Sequence, residues 1–225
     1  MNQTAIETTD LAGCARAEPL AVAVGNFAHE LANPLNAIAI TTELAQRMLS
    51  RGQNARAAEA LDKVNADCER CARLLRDAQD YFSLEVGPHD VVELTAMLEE
   101  ISQPLRDSGE VVIRATGACR LDGDARALRR LFREVLRNAF DHGAHRVAIE
   151  LQREPRTVSA CIGDDGPGID PALRARVFEA FFSTQRLQHS GIGLTLARSI
   201  ARMHRGEIEI ENAEQGAMFR ITLPA

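Results

Sequence analysis

The segment Phe27-Ala28-His29-Glu30-Leu31-Ala32-Asn33-Pro34-Leu35 sets a histidine beside a carboxylate, with an amide one helical turn on and a proline directly after it. A neutral imidazole nitrogen is a competent nucleophile near its reference pKa of ~6.5. An adjacent carboxylate can take the ring proton or fix the tautomer, which is general-base activation. Asn33 shares a helix face with His29 and can orient a water molecule. Pro34 lacks the N–H that would bond the Glu30 carbonyl, so the helix is expected to bend just past the nucleophile. Such a histidine can accept a phosphoryl group if the chain also holds a nucleotide.

Candidates for that second site lie far downstream. Asp164-Asp165-Gly166-Pro167-Gly168-Ile169 follows an alternating apolar run that ends at Ile162. A carboxylate there can accept a hydrogen bond from an amino group on a flat base, and glycines let the backbone come close. Taken alone, the segment reads equally well as a surface turn, because Asp, Gly and Pro all form turns. Ser190-Gly191-Ile192-Gly193-Leu194 opens a helical run, where backbone N–H groups and the helix N-terminus suit phosphate. Glu134 and Asn138 are spaced to share one helix face, and two oxygen donors there suit a hard cation such as Mg²⁺. A bare pair of this kind is more often simply solvated. Phe178-Glu179-Ala180-Phe181-Phe182, just before Ser183-Thr184-Gln185-Arg186, supplies anchors for a loop or ordinary core packing.

Helices and strands must position these groups. From about Leu20 to Ser50, Val24, Ala28, Leu31, Leu35, Ile38, Thr42, Ala45 and Leu49 recur at alternating intervals of four and three, a heptad seam. Arg51-Gly52-Gln53-Asn54 reads as a turn. A second helix is expected from about Ala55 to Ser83, with Leu61, Cys68, Leu75 and Phe82 on one seam position and Val64, Cys71 and Ala78 on the other. One such hairpin has few layers to bury its seam against, so two copies are expected to form a dimeric four-helix bundle. Gly87-Pro88 ends the helical pattern. Beyond it we expect helices over Leu94 to Arg106, Asp124 to Phe140 and Gly191 to His204, with Asp122 or Asp124 capping the second. Strands are expected at Val111–Arg114, Arg146–Leu151, Arg156–Ile162, Glu207–Glu211 and Ala217–Leu223. Strands clustered among helices without regular alternation predict an α+β two-layer sandwich. The organisation is thus a lead-in over 1–18, an all-α helical hairpin over 19–86 and the α+β domain over 87–225.

The chain of 225 residues carries a formal charge of −6, with 45% hydrophobic residues, no Trp and one Tyr. The acidic balance argues against nucleic-acid binding, and the cores must be aliphatic. Lys63 is the single lysine, so cationic contacts to phosphate fall to arginine. No run approaches the ~20 apolar residues of a membrane span, and Met1–Asp10 lacks the apolar core of a signal peptide. Five cysteines without such a signal suggest reduced thiols and a cytoplasmic location. Cys68-Glu69-Arg70-Cys71 is a lone pair without a second ligand pair, and reads as two core positions of a helix rather than a metal site.

The His29 segment, Glu134/Asn138, the Asp164–Ile169 loop, the Phe178–Phe182 cluster and the Ser190–Leu194 loop, in this order, resemble the H, N, G1, F and G2 boxes of two-component sensor histidine kinases. Those proteins join a dimerisation and phosphoacceptor domain to an ATPase domain of the Bergerat fold. The resemblance implies ATP and Mg²⁺, with His29 as phosphoacceptor, Glu30 as acid/base, and Asn33 acting in dephosphorylation of the partner. It implies Asn138 as Mg²⁺ ligand, Glu134 holding a water near the metal and γ-phosphate, Asp164 on the adenine amino group, and Gly166, Gly168 and Ile169 lining the base. His142, Thr184, Arg186 and the stretch Ser190, Gly191, Ile192, Gly193 and Leu194 complete the implied nucleotide contacts.

Three positions depart from the family pattern: His189 replaces the first G2 glycine, and Asp141 and Gln185 stand where lysines are common. They lower local positive charge, which Arg186, Arg137 or a protonated His189 can offset. The implied function is a kinase that autophosphorylates His29 from ATP and passes the group to an aspartate in a response regulator receiver domain. The implied state is a homodimer. Residues 1–18 are too few for a sensor, so the signal is expected from a separate sensor protein or from a part of a longer chain. The alternative is a histidine phosphotransferase or scaffold whose ATP domain is degenerate.

Overall fold

The computed structural model describes residues 7–85, 87–184, 190–213 and 215–225, with side chains from Val22 onward. Its contacts divide the chain into two compact units, Met1–Ser83 with Glu179–Ile192, and Leu84–Phe178 with Gly193–Ala225. The segment from Glu179 to Ile192 thus groups with the helices, whereas the sequence places it in the α+β domain.

The helical unit is a hairpin of α1 (Glu7–Ser50) and α2 (Asn54–Phe82). Gly52, at φ +69, turns the chain between them. Helix α1 begins at Glu7 rather than near Leu20; the extra stretch has no seam, but it holds three Ala and two Glu, which favour helix. Ala23, Glu30, Pro34 and Ala45 of α1 and Ala57, Ala60, Cys71, Leu74 and Ala78 of α2 are buried in the hairpin. The two expected seams are therefore split. Val24, Leu35 and Leu49 on α1 and Leu61, Leu75 and Phe82 on α2 remain 43–50% exposed. The cysteine pair is split in the same way: Cys71 is buried as expected, and Cys68 lies exposed on the outer stripe. Two further contacts lie inside this unit. The Asn26 side-chain amide donates to the Ala180 carbonyl at 3.1 Å, and the Phe27 and Phe181 rings sit 5.1 Å apart.

The second unit runs β1 (Asp90–Glu93), α3 (Leu94–Ser102), β2 (Glu110–Thr116), β3 (Arg120–Gly123), α4 (Ala125–Asp141), β4 (Arg146–Arg153), β5 (Thr157–Asp164), α5 (Gly193–Met203), β6 (Glu207–Glu211) and β7 (Met218–Pro224). Five strands form a mixed sheet in the order β2-β4-β5-β7-β6, parallel only between β2 and β4. Alternate residues of β4, β5 and β7, such as Ile149, Ile162 and Phe219, are buried. They form the core with Leu128, Leu131, Phe132 and Leu136 of α4 and Leu196 and Ile200 of α5. This is the expected α+β sandwich. The antiparallel pair β1–β3 was not expected, because four residues per strand are too few to show a period. Helix α3 stops at Ser102 and not near Arg106: Pro104 follows, and the chain tightens into a 3₁₀ turn over Gln103–Leu105. Among the described residues no helix is long and apolar enough to cross a membrane.

Candidate functional site

Helix α4 carries the acidic and amide donors because its sequence fixes both of its ends. Asp124 is the N-cap, its Oδ1 accepting from the Arg126 and Ala127 amides at 2.8 and 3.1 Å. At the other end Gly143, at φ +89, closes a Schellman motif: its N–H donates to Phe140 and that of Ala144 to Ala139. Between these ends one face is buried, including Leu128, Phe132, Val135 and Ala139. Glu134 and Asn138 lie on the flank of that face and are half-buried. Just past the helix, His142 Nδ1 lies 2.8 Å from the Asn138 carbonyl, which ties this ring to the same turn.

The start of α5 meets Glu134. A Cβ on Gly193, the first residue of α5, would lie 2.8 Å from Glu134 Oε2. Only glycine lets the carboxylate approach the helix N-terminus this closely.

Asp164 ends β5, and its carboxylate is fixed through one oxygen. Oδ1 accepts from Gly166 N–H at 2.9 Å and from Ala217 N–H at 3.1 Å. Among the described residues Oδ2 has no partner, so it stays available to a donor. The loop beyond is packed on a second turn. Gly216, at φ +72, would drive a Cβ to within 1.7 Å of the Asp164 carbonyl, and a Cβ on Gly168 would meet the Gly216 carbonyl at 2.8 Å. Gly166 faces Asp164 Oδ1 and Ala144, and Ile169 is half-buried. Asp165 braces the neighbouring strand: its Oδ1 accepts from the His145 and Arg146 amides at 2.8 and 2.9 Å. The Arg146 amide, then that of His145, holds this carboxyl below its ordinary range. Gly216 reads in sequence as a turn and nothing more; its role in fixing Asp164 depends on strand pairing.

Oxygen donors are the chemistry on offer for a cation here. Among the described residues no three His, Cys, Asp or Glu side chains converge on a metal cage. Asn138 with Glu134 fits Mg²⁺, which keeps most of its water and takes few protein ligands.

Of the other expected contacts, Leu194 is buried in α5. Thr184 is exposed, Ser190 and Gly191 are half-buried and Ile192 is buried; all four group with the helical unit. There the Phe181 N–H donates to the Gly191 carbonyl at 3.1 Å, tying the two ends of the segment. Arg186, with Gln185 and His189, lies outside the described residues. Asp141 pairs with Arg137 at 3.1 Å.

In the helical unit His29 and Asn33 are exposed, Glu30 is 5% exposed and Pro34 is buried. Successive helix positions do not face one another. His29 therefore points to water while the Glu30 carboxylate turns into the hairpin, 3.4 Å from Arg70 Nη2. The sequence does not mark Arg70, which lies on the other helix.

Two family models match the chain. Residues 22–87 match the His Kinase A (phospho-acceptor) domain. Residues 123–225 match the histidine kinase-, DNA gyrase B- and HSP90-like ATPases. The sensor histidine kinase GtrS of Pseudomonas aeruginosa is 27% identical over 88% of this chain and 40% of its own length. The chain thus spans about two fifths of that relative. Among solved structures, the mycobacterial sensor histidine kinase MprB is 28% identical, at a TM-score of 0.54 over 60% of this chain and 97% of that one. The histidine kinase ThkA, solved in complex with the response regulator protein TrrA, shares the fold at 20% identity, with a TM-score of 0.71 over 99% of this chain and 68% of that one.

Proposed function

We propose that this chain, which belongs to the two-component sensor histidine kinases, phosphorylates His29 from ATP and passes the phosphoryl group to an aspartate of a response regulator. The observation that carries the reading is the approach of Glu134 to the glycine that opens α5, which brings an acid-bearing helix to a phosphate-type helix N-terminus. Asp164 Oδ2 would accept a hydrogen bond from the adenine amino group, with the Gly166–Gly168 loop against the base. The amides of Ser190–Leu194 would face the phosphates. Asn138 and Glu134 would hold Mg²⁺, which supplies neutralisation of charge on the transferring group.

At the acceptor, one ring nitrogen of His29 attacks the γ-phosphorus in line. The bond from phosphorus to the ADP oxygen breaks with its electron pair, and the proton on the other ring nitrogen passes to the water that His29 faces, since the Glu30 carboxylate is turned into the hairpin. Exposure of His29 supports access by both a donor and a regulator. Asn33, one turn along, would orient water against the regulator's phosphoaspartate. A regulator bound to the related kinase ThkA supports that partner class. Dependence on ATP places the reaction in the cytoplasm.

The test is incubation with γ-labelled ATP and Mg²⁺. We expect acid-labile, base-stable label on the wild type and none on His29→Ala or Asn138→Ala. Label that enters only from a phosphorylated regulator would replace the kinase with a phosphotransferase. Acid-stable label would point to serine or threonine and defeat the reading.

A further inference from the structure

One helical turn before His29, α1 carries a seat for a distant part of the same chain. Asn26 and Phe27 are half-buried, whereas Ala28, His29 and Asn33 are exposed. Against them lies the buried step Ala180–Phe181. The Asn26 side-chain amide donates to the Ala180 carbonyl at 3.1 Å, and the Phe27 ring lies 5.1 Å from that of Phe181, tilted by 43°. The first contact grips main chain and sets position; the second buries apolar surface and sets a ring. Asn26 stands three residues before His29, so the two share a helix face.

Phe181 reaches this seat in a costly conformation. Its φ of +64 lies in the left-handed region that bulky residues avoid. A phenylalanine can be buried without such a backbone, so burial alone does not explain it. Strain of this kind persists where the surroundings over-determine it, and it gathers at working sites. Here the Phe181 N–H donates to the Gly191 carbonyl at 3.1 Å. Gly191, at φ +74, sits so close that a Cβ would run into the main chain of Phe181 and Phe182. Two residues on, the chain enters α5 at Gly193.

We propose that Asn26 and Phe27 are positioning residues for transfer from ATP to His29, through their hold on Ala180 and Phe181. The inference rests on the reading of His29 as phosphoacceptor. Neither residue touches the transferring group in this scheme. They fix the segment that leads into the phosphate-type helix N-terminus, so their loss should slow transfer from ATP and leave the reactivity of the imidazole alone.

Asn26→Asp, which keeps the shape and removes the donor, tests the seat together with Phe27→Ala, Phe27→Leu, Phe181→Ala and the double variant Phe27→Ala/Phe181→Ala. Two donors are used: ATP with Mg²⁺, and phosphoramidate, a small donor that phosphorylates histidine without an ATP domain. Asn26→Asp and Phe27→Ala should each slow labelling from saturating ATP by about tenfold, within the range that misplacement costs. KM for ATP and the rate with phosphoramidate should match the wild type. Phe27→Leu should retain part of the rate, and the double variant should be no slower than Phe181→Ala alone. Hydrogen exchange without nucleotide reads the seat directly: protection of the Phe181 amide should fall about tenfold in Asn26→Asp and Phe27→Ala. Wild-type rates from ATP in both variants, equal losses with the two donors, losses that multiply in the double variant, or unchanged protection of the Phe181 amide would each overturn the proposal. A wild type labelled by phosphoramidate and not by ATP would defeat the kinase reading, while the exchange result would still decide whether the seat exists.

Discussion

Gly193 separates catalysis from stability at a single residue. Its φ is not in the left-handed region, so alanine is conformationally allowed there, and the only obstruction is the end of the Glu134 side chain. That atom is the far end of a flexible side chain and not backbone. We expect Gly193→Ala to melt at or above the wild-type temperature, since alanine gives up less backbone entropy, by up to about 1 kcal/mol. The same change displaces the carboxylate and should cut autophosphorylation at least tenfold, measured as initial rate of label at saturating ATP. Gly216→Ala should behave in the opposite way. Its Cβ would meet main-chain atoms of Asp164, and its φ is +72, so both stability and nucleotide binding should fall. The sequence showed both glycines but not this difference. A Gly-x-Gly before a helix is a local signal. The Gly216–Asp164 contact joins residues 52 positions apart and depends on β5 pairing with β7.

Helix α4 is held at its N-cap by more than its own turn. Asp124 Oδ2 accepts from the Gly87 amide at 2.6 Å, and the Asp124 N–H donates to His204 Nε2 at 3.0 Å. Nε2 therefore carries no proton, and Nδ1 is placed to donate to the Ile200 carbonyl at 2.8 Å. The His89 ring stacks on His204 at 5.3 Å and its Nδ1 is 3.7 Å from Asp122. One carboxylate thus caps the site helix and ties down the chain that enters the sheet unit. Burial raises the Asp124 carboxyl, but the Gly87, Ala127 and Arg126 amides together outweigh it, and the net shift is downward. A folded pKa below the unfolded value means stability that is present above the unfolded pKa of ~3.9 and is lost as pH falls through the folded value. Asp124→Asn should therefore be less stable than the wild type at neutral pH, and the gap should close below about pH 4, read by urea unfolding across pH. Asp124→Ala should cost at least the ~1 kcal/mol of a lost cap. The periods of α4 and α5 made these helices legible, and Asp124 was one of two caps that the sequence allowed. The tie to Gly87 and His204 was not legible, since the latter bond spans 80 positions. The C-terminus of α5 shows the same limit. Arg205 takes the left-handed position, at φ +59, that glycine usually fills, while Gly206 is pressed against Thr222.

At the scale of the whole molecule, the hairpin buries one of the two apolar positions of α2 and, of the α1 seam, only Ala45. Cys71 and Ala78 face α1, whereas Leu61, Cys68, Leu75 and Phe82 line the outer side of α2. Val24, Leu35 and Leu49 expose a matching stripe on α1. The heptads predicted an apolar face but could not divide it between the fold of one chain and a second copy, because both uses leave the same period. The division follows from side-chain size: small Ala23, Ala45, Ala57, Ala60 and Ala78 let the two helices pack closely, and the large residues are left outside. A continuous stripe of leucines and a phenylalanine in water costs about 25 cal/mol per Å² of apolar surface. A second hairpin presenting the same stripe removes that cost by completing a four-helix bundle, so the expected state is a homodimer at micromolar concentration. Leu75→Glu places a charge in the middle of the stripe, at a position that is 46% exposed. It should sediment as a monomer, while the wild type sediments as a dimer whose melting temperature falls on dilution. A wild-type monomer with full helicity and a melting temperature independent of concentration would show that one hairpin tolerates its outer stripe in water.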